Sequence, residues 1–292
     1  MVGRLAYRRT ILPRSPLEIQ GAARRAIFVP QAARSDMIRG MRGPWPVEVG
    51  DTSAVAVEVA IGDAVEDVPR ALGLATGRPT VALVGGAAGM SDSDMDAARS
   101  LLARSLVPVV ELLDGIVVDG GTDAGIMRAV GAAREECRAS FPLVGVVVRR
   151  LLRLDEDASE DAAPPERRHS HFVLVPGSDW GDESAWLAAI AGAVAEDAPS
   201  VTVLANGGDI AWQDAEASIA AGRPILALAG TGRTADVLAA AAEGEARDRR
   251  AAALVATGLV RTAPFDRPEA VTEALRRELG LEREATRRDS SA

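Results

Sequence analysis

The sequence predicts an α/β fold: a Rossmann-like, doubly wound, mostly parallel sheet with helices on both faces. Three observations predict it. Short runs rich in Val, Leu and Ile recur from Ala54 onward. Longer Ala-rich amphipathic segments separate them, and several runs end in glycine-rich turns that open a helix. Continuous apolar strands alternating with helices indicate a sheet buried on both faces. Right-handed crossovers wind such a sheet doubly.

The expected strands are Ala54–Ala60, Thr80–Val84, Gly115–Val118, Leu143–Val148, His171–Val175, Ser200–Leu204 and Pro224–Ala229, with a weaker run at Ala252–Ala256. The expected helices are Asp92–Leu106, Ala124–Ser140, Glu183–Glu196, Trp212–Ala221, Ala235–Glu243 and Pro268–Leu279. Residues 1–52 lack periodicity and read as an irregular N-terminal extension. Residues 53–281 read as the α/β domain, and 282–292 as a flexible charged tail. The stretch Arg149–Arg168 carries five acidic residues between Asp155 and Asp161, then Pro164-Pro165, and reads as a mobile surface loop.

Composition narrows the function. Hydrophobic residues make up 48% of the 292, which is ordinary for a globular chain. No apolar run reaches the roughly 18 residues of a membrane helix, and no signal-like segment follows Arg4, Arg8 and Arg9. The single cysteine, Cys137, excludes an internal disulfide and fits a buried thiol in a reducing, cytoplasmic setting. A net charge of −9 argues against a nucleic-acid partner. Lysine is absent, so no P-loop or Schiff-base chemistry is available. Arginine remains for gripping phosphate or carboxylate.

Four glycine-rich stretches each follow an expected strand and precede a helix. They are Gly85-Gly86-Ala87-Ala88-Gly89, Gly120-Gly121-Thr122-Asp123-Ala124-Gly125, Pro176-Gly177-Ser178-Asp179-Trp180-Gly181 and Gly230-Thr231-Gly232-Arg233. A weaker fifth is Asn206-Gly207-Gly208. Glycine lets backbone N–H groups approach a phosphate, and a helix N-terminus adds partial positive charge. One such turn alone is explained by tight-turn sterics; several on one sheet edge point to a shared crevice. None has GxGxxG spacing.

These stretches carry a resemblance. Gly120–Met127, with Val130-Gly131 a turn later, resembles the GGT-x-x-G segment of TRPM-channel N-terminal homology regions. Val84-Gly85-Gly86, His169-Ser170-His171-Phe172-Val173-Leu174-Val175, Asn206-Gly207-Gly208 and the block Pro224–Leu238 resemble further segments of the same regions, in the same order. The match spans roughly residues 54–240 and points to the SLOG superfamily, in its prokaryotic LSDAT branch. Gly125-Ile126-Met127 is also similar to a turn of the more distant LOG phosphoribohydrolases. Their PGG-x-GT-x-x-E loop is replaced by Pro176–Gly181, with Asp182 where Thr is expected and Ala185 where Glu is expected.

The resemblance implies a nucleotide-like ligand of the ADP-ribose type, no required cofactor, a sensing rather than enzymatic role, and no membrane partner; superfamily analogy allows a homodimer. The expected ligand-binding residues are Gly85, Gly86, Gly120, Gly121, Thr122, Gly125, Gly177, Ser178, Trp180, Gly181, Gly207, Gly208, Gly230, Thr231, Gly232 and Arg233. Arg233 reads either as a phosphate clamp or as the partner of Asp236 or Asp209. Thr122 and Thr231 read as phosphate donors or helix N-caps. Asp123 and Asp236 read as caps or acceptors of ribose hydroxyls. Glu183 and Asp182 are the catalytic candidates if the chain is an N-glycosidic hydrolase of nucleoside monophosphates; first-turn carboxylates also complement a helix dipole. Trp180 either stacks on a base or packs on its helix. His169 and His171 lack a third ligand, so no metal is expected, and His171 fits a local hydrogen bond. A non-catalytic scaffold is the third reading.

Overall fold

The computed structural model describes residues 40–87, 89–154, 158–245 and 247–281. Nine strands form one sheet in the order β1-β2-β6-β5-β4-β3-β7-β8-β9. They are β1 (Arg42–Val49), β2 (Thr52–Glu58), β3 (Thr80–Gly85), β4 (Ile116–Asp119), β5 (Leu143–Val148), β6 (His171–Val175), β7 (Ser200–Ala205), β8 (Ile225–Ala229) and β9 (Val260–Pro264). β1 pairs antiparallel with β2; every other neighbouring pair is parallel. The helices are α1 (Val68–Leu72), α2 (Asp92–Arg104), α3 (Leu106–Leu112), α4 (Gly125–Glu136), α5 (Ser184–Ala195), α6 (Asp209–Ala220), α7 (Arg233–Ala242), α8 (Arg249–Val255) and α9 (Pro268–Glu278).

The strands are apolar because both faces are covered. Along β3, Val81 and Leu83 join the core under α2, α3, α4 and α9, while Ala82 and Val84 join the core under α1, α5, α6, α7 and α8. This is the period-two alternation of a strand, with apolar residues in both registers. The doubly wound fold therefore stands as expected. A third apolar cluster, including Val47, Ala56, Phe172 and Leu152, covers the β1 end of the sheet.

Four expectations need correction. Residues 42–49 are not irregular: Val47 and Val49 are buried and pair β1 to β2, while Pro44 and Pro46 masked the pattern. Residues 1–39 and 282–292 lie outside the described residues. The run Ala252–Ala256 falls in a helix, because Asp248 caps Arg250 and Ala251; a short apolar run does not distinguish helix from strand. The true last strand is β9, an edge strand whose Arg261 is exposed. The stretch Arg149–Arg168 is in large part packed structure: Leu151, Leu152, Ala162 and Glu166 are buried. Finally, α4 ends at Glu136, so Cys137 sits exposed at its C-cap rather than buried.

Connections from β3 run toward β4 and β5, and the chain then crosses back to β7, β8 and β9. The winding reverses between β3 and β7. Open parallel sheets leave a crevice beyond the carboxyl ends of the strands at such a point.

Candidate functional site

At the reversal, the β3 and β7 turns touch. A Cβ on Gly85 would lie 1.9 Å from the Ala205 carbonyl oxygen, and one on Gly86 would lie 2.7 Å from Asn206 Oδ1. Glycine at both positions is thus required by close approach. Asn206, at φ 59°, joins the β7 and β8 turns. Its backbone N–H donates to Thr231 Oγ1 at 2.7 Å and its Nδ2 donates to the Thr231 carbonyl at 2.6 Å. Its Oδ1 accepts from the Gly207 N–H at 2.9 Å. The Thr231 hydroxyl donates onward to the Leu228 carbonyl at 2.7 Å. Thr231 therefore braces two turns and does not cap α7. The Asp236 carboxylate accepts from the Gly230 N–H at 2.7 Å, tying the start of the β8 turn to α7.

Arg233 stands over this junction. Its side chain is exposed, and its backbone lies at φ 55°, where a residue with a side chain is strained. One guanidinium nitrogen is 2.7 Å from where a Cβ on Gly89 would sit, and the other is 2.7 Å from the same position on Gly208. Asp236 and Asp209 do not pair with it, and no ion pair to Arg233 occurs among the described residues. Beside it, α6 begins at Gly208 and α7 at Gly232, neither with a side-chain cap. By contrast, α2 closes its own N-terminus with a Ser91–Asp94 capping box. The start of α7 is closed by backbone: its Thr234 and Ala235 N–H groups donate to the Gly207 and Asn206 carbonyls at 3.5 and 3.0 Å. The reversal point thus presents a cation with no ion pair among the described residues and the uncapped start of α6.

The β4 turn is differently built. Its Gly121 N–H donates to Asp119 Oδ1 at 2.7 Å, and its Asp123 N–H donates to the Pro164 carbonyl at 2.8 Å. The Gly121 carbonyl accepts from the Glu166 N–H at 2.9 Å. Thr122 is buried and bridges to Pro165. The Gly121 carbonyl and the Asp123 amide are engaged by the 149–168 stretch and the Gly121 amide by Asp119, so Gly121 and Thr122 serve as buttress. Gly120 lies under Met127. Only the end of this segment reaches the junction: a Cβ on Gly125 would lie 2.0 Å from the Gly86 carbonyl oxygen, which accepts from the Ile126 N–H at 2.9 Å. Asp123 pairs with Arg128 at 2.7 Å.

The β6 turn folds toward α6. Asp182 Oδ2 accepts from the Ser178 and Asp179 N–H groups at 2.8 and 3.1 Å, closing the turn on itself. Gly177 packs on Asp182, and Gly181 packs on Gln213, one helical turn beyond Asp209. Trp180 packs against two apolar cores and is half-buried. Glu183 is buried and accepts from the Gly181 N–H at 2.9 Å. Burial holds its carboxyl above the usual range, aided by Asp182. Asp214, missed in the sequence, accepts from Ser184 Oγ at 2.6 Å. Burial pushes it up to about 7, with Glu183 adding to the rise.

A family description of SLOG in TRPM, prokaryote, matches residues 78–273. The chain belongs to this family. Among solved structures, this SLOG-in-TRPM member is similar to the molybdenum cofactor carrier protein of Chlamydomonas reinhardtii, at 15% identity and a TM-score of 0.45, covering 70% of this chain and 99% of that one. It is also similar to the molybdenum cofactor binding protein of the phototrophic bacterium Rippkaea orientalis, at 12% identity and a TM-score of 0.45, covering 68% and 96%.

The matched span of this family member contains every glycine turn at the junction. It also contains two residues that sequence reasoning passed over, Asp119 and Glu166, which enclose His169 at 2.7 and 3.0 Å. A carboxylate ending a strand, and a glycine at 131 in mid-helix, were the available signals. His171 makes the expected local bond, to Ser170 Oγ at 2.8 Å. A cavity of about 710 Å³ lies away from the junction, between Met41, Pro44, Val55 and Leu72. Among the described residues no helix is long and apolar enough to cross a membrane, and no three His, Cys, Asp or Glu residues are grouped to hold a metal ion.

Proposed function

We propose that this chain binds a nucleotide-derived anion of the ADP-ribose type at the β3–β7 junction, as a sensing domain without turnover. One observation carries the reading. Arg233 is an unpaired guanidinium held in strained backbone between Gly89 and Gly208. Strain of this kind costs about 1–3 kcal/mol and clusters at ligand sites. A phosphate seated there meets the planar fork of Arg233 and the uncapped start of α6. Gly86, Gly125, Gly207, Gly208, Gly230, Gly232 and Arg233 form the inner set of this proposed site. Gly177, Ser178, Trp180 and Gly181 flank it along α6. The ligand itself supplies all the chemistry that the site recognises, with no resident cofactor.

The test is calorimetric titration of the full chain with ADP-ribose, ADP, AMP and ribose 5-phosphate, repeated with Arg233→Ala. Saturable binding that Arg233→Ala weakens at least tenfold, with the nucleotide recovered intact, supports the reading. Equal binding by both proteins sinks it.

An N-glycosidic hydrolase is the second reading, and the buried Glu183 with the half-buried Asp214 favours it. It requires free base to accumulate from a nucleoside monophosphate, and Glu183→Gln to stop the release. Asp182 fits this role less well, since its carboxylate is committed to the turn.

A further inference from the structure

We infer that Asp119, His169 and Glu166 form a proton-operated clamp that ties the Ala163–Ser170 crossover to the end of β4 and so seats α4 against the β3 turn. All three side chains are fully buried. His169 Nε2 lies 2.7 Å from Asp119 Oδ1, and its Nδ1 lies 3.0 Å from Glu166 Oε2. A neutral imidazole carries one N–H and satisfies one of these carboxylates; only the imidazolium donates to both. The ring also stacks on Phe172, with centroids 5.5 Å apart.

The surrounding charges agree. Glu166 also takes two bonds from Arg168, at 2.8 and 2.7 Å. With His169 protonated, the buried group of Asp119, Glu166, His169 and Arg168 is neutral; without that proton it carries one uncompensated negative charge, which a dry interior penalises. Asp119 Oδ2 has no hydrogen-bond partner among the described residues, so proton loss finds no substitute there. Among the described residues, the other charged or titratable groups around the cluster include Arg128, Arg134 and Glu135 on α4, Arg167 on the crossover and His171 on β6. Burial disfavours the imidazolium, but Asp119 and then Glu166 outweigh it and push His169 up to about 9. Burial, then Arg134, pushes His171 down to about 4.

The clamp reaches the junction through a short covalent path. Asp119 holds the Gly121 N–H, and Glu166 and Pro164 hold the Gly121 carbonyl and the Asp123 N–H. Two residues later Gly125 meets Gly86. The clamp forms whether or not the junction takes an anion.

The chain contains two histidines, so the test uses the unmodified protein. Its two imidazoles are followed by NMR from pH 3.5 to 10.5, with His171→Gln for assignment. The expected result is one titration near pH 9 from His169 and one near pH 4 from His171. Amide exchange is then measured at pH 7 and 9.5, corrected for intrinsic base catalysis. Segments 163–170 and 120–127 should lose protection together, and His169→Gln should show the same loss already at pH 7. An imidazole assigned to His169 that titrates between pH 6 and 7 overturns the inference. So does exchange that opens the crossover but leaves 120–127 protected. If His169→Gln does not fold, Glu166→Gln replaces it, with the His169 titration expected to fall by at least one pH unit; no fall counts against the clamp.

Discussion

The guanidinium of Arg233 occupies the space that a side chain at Gly208 would need, with a nitrogen 2.7 Å from the missing Cβ. Gly208 itself lies at φ −112° and ψ −148°, outside the left-handed region that favours glycine. Gly208→Ala should therefore cost under about 1 kcal/mol, since the clash falls on the tip of a flexible exposed side chain. It should nevertheless displace Arg233 and weaken phosphate binding about as much as Arg233→Ala does. Thermal melts and calorimetry on the same preparation separate the two effects. Wild-type affinity in Gly208→Ala would show that Arg233 is not the anchor.

Arg233→Gly tests the strain directly. Glycine adopts φ 55° freely, so the variant should gain up to about 1 kcal/mol of stability despite a more flexible unfolded chain. For a domain of this size that is a rise of about 2–4 °C in Tm. The same variant should lose the ligand. A stabilised protein that no longer binds is the signature of strain kept for function; an unchanged or lower Tm means that the surroundings, not the backbone, set this conformation.

Asp214 predicts a pH dependence. Its folded pKa, about 7, stands above the ordinary 3.8. The folded state thus holds a proton that the unfolded chain releases, and stability falls as pH rises from about 4 to 7. The shift corresponds to at most about 4 kcal/mol. Asp214→Asn keeps a partner for Ser184 Oγ and removes the titration. Denaturant midpoints should rise for Asp214→Asn at pH 7 and converge with wild type near pH 4. Parallel curves across that range would contradict the assignment.

Much of the architecture was legible because its signals are local. Seven strands, β2 to β8, leave apolar runs that no partner is needed to see, and β1 and β9 were hidden because edge strands with Pro44, Pro46 or exposed Arg261 break the run. The glycine turns were legible as turns, but not as a site. Gly121 and Gly125 look alike in sequence. One is packed against Gly145 and Phe172, the other against Gly86, and only the second reaches the junction. The stretch 149–168 looked like a solvated loop because its charges outnumber its apolar residues. Its order comes from partners distant in sequence: the Glu166 N–H meets the Gly121 carbonyl, Arg168 meets Glu135, and Pro165 meets Thr122. Long-range ion pairs leave no periodicity to read.

Gly131 makes that long-range order testable. It sits inside α4, where helix propensity favours alanine over glycine by about 1 kcal/mol. Judged by the helix alone, Gly131→Ala stabilises. The tertiary structure reverses the sign. A Cβ on Gly131 would lie 2.4 Å from Glu166 Oε2 and 2.6 Å from its carboxyl carbon. That carboxylate is fixed by His169 and by Arg168, so it has little room to yield. Overpacking there should cost roughly 1–3 kcal/mol net of the propensity gain. A double-mutant cycle with Glu166→Ala, read by urea denaturation, isolates the contact. Glu166→Ala alone should destabilise strongly, because it leaves His169 facing one carboxylate. In its background Gly131→Ala should become neutral or stabilising, since the clash is gone. If Gly131→Ala stabilises the wild-type chain by the full propensity difference, Glu166 is free to move, and the packed cluster around His169 is not the rigid element that its geometry implies.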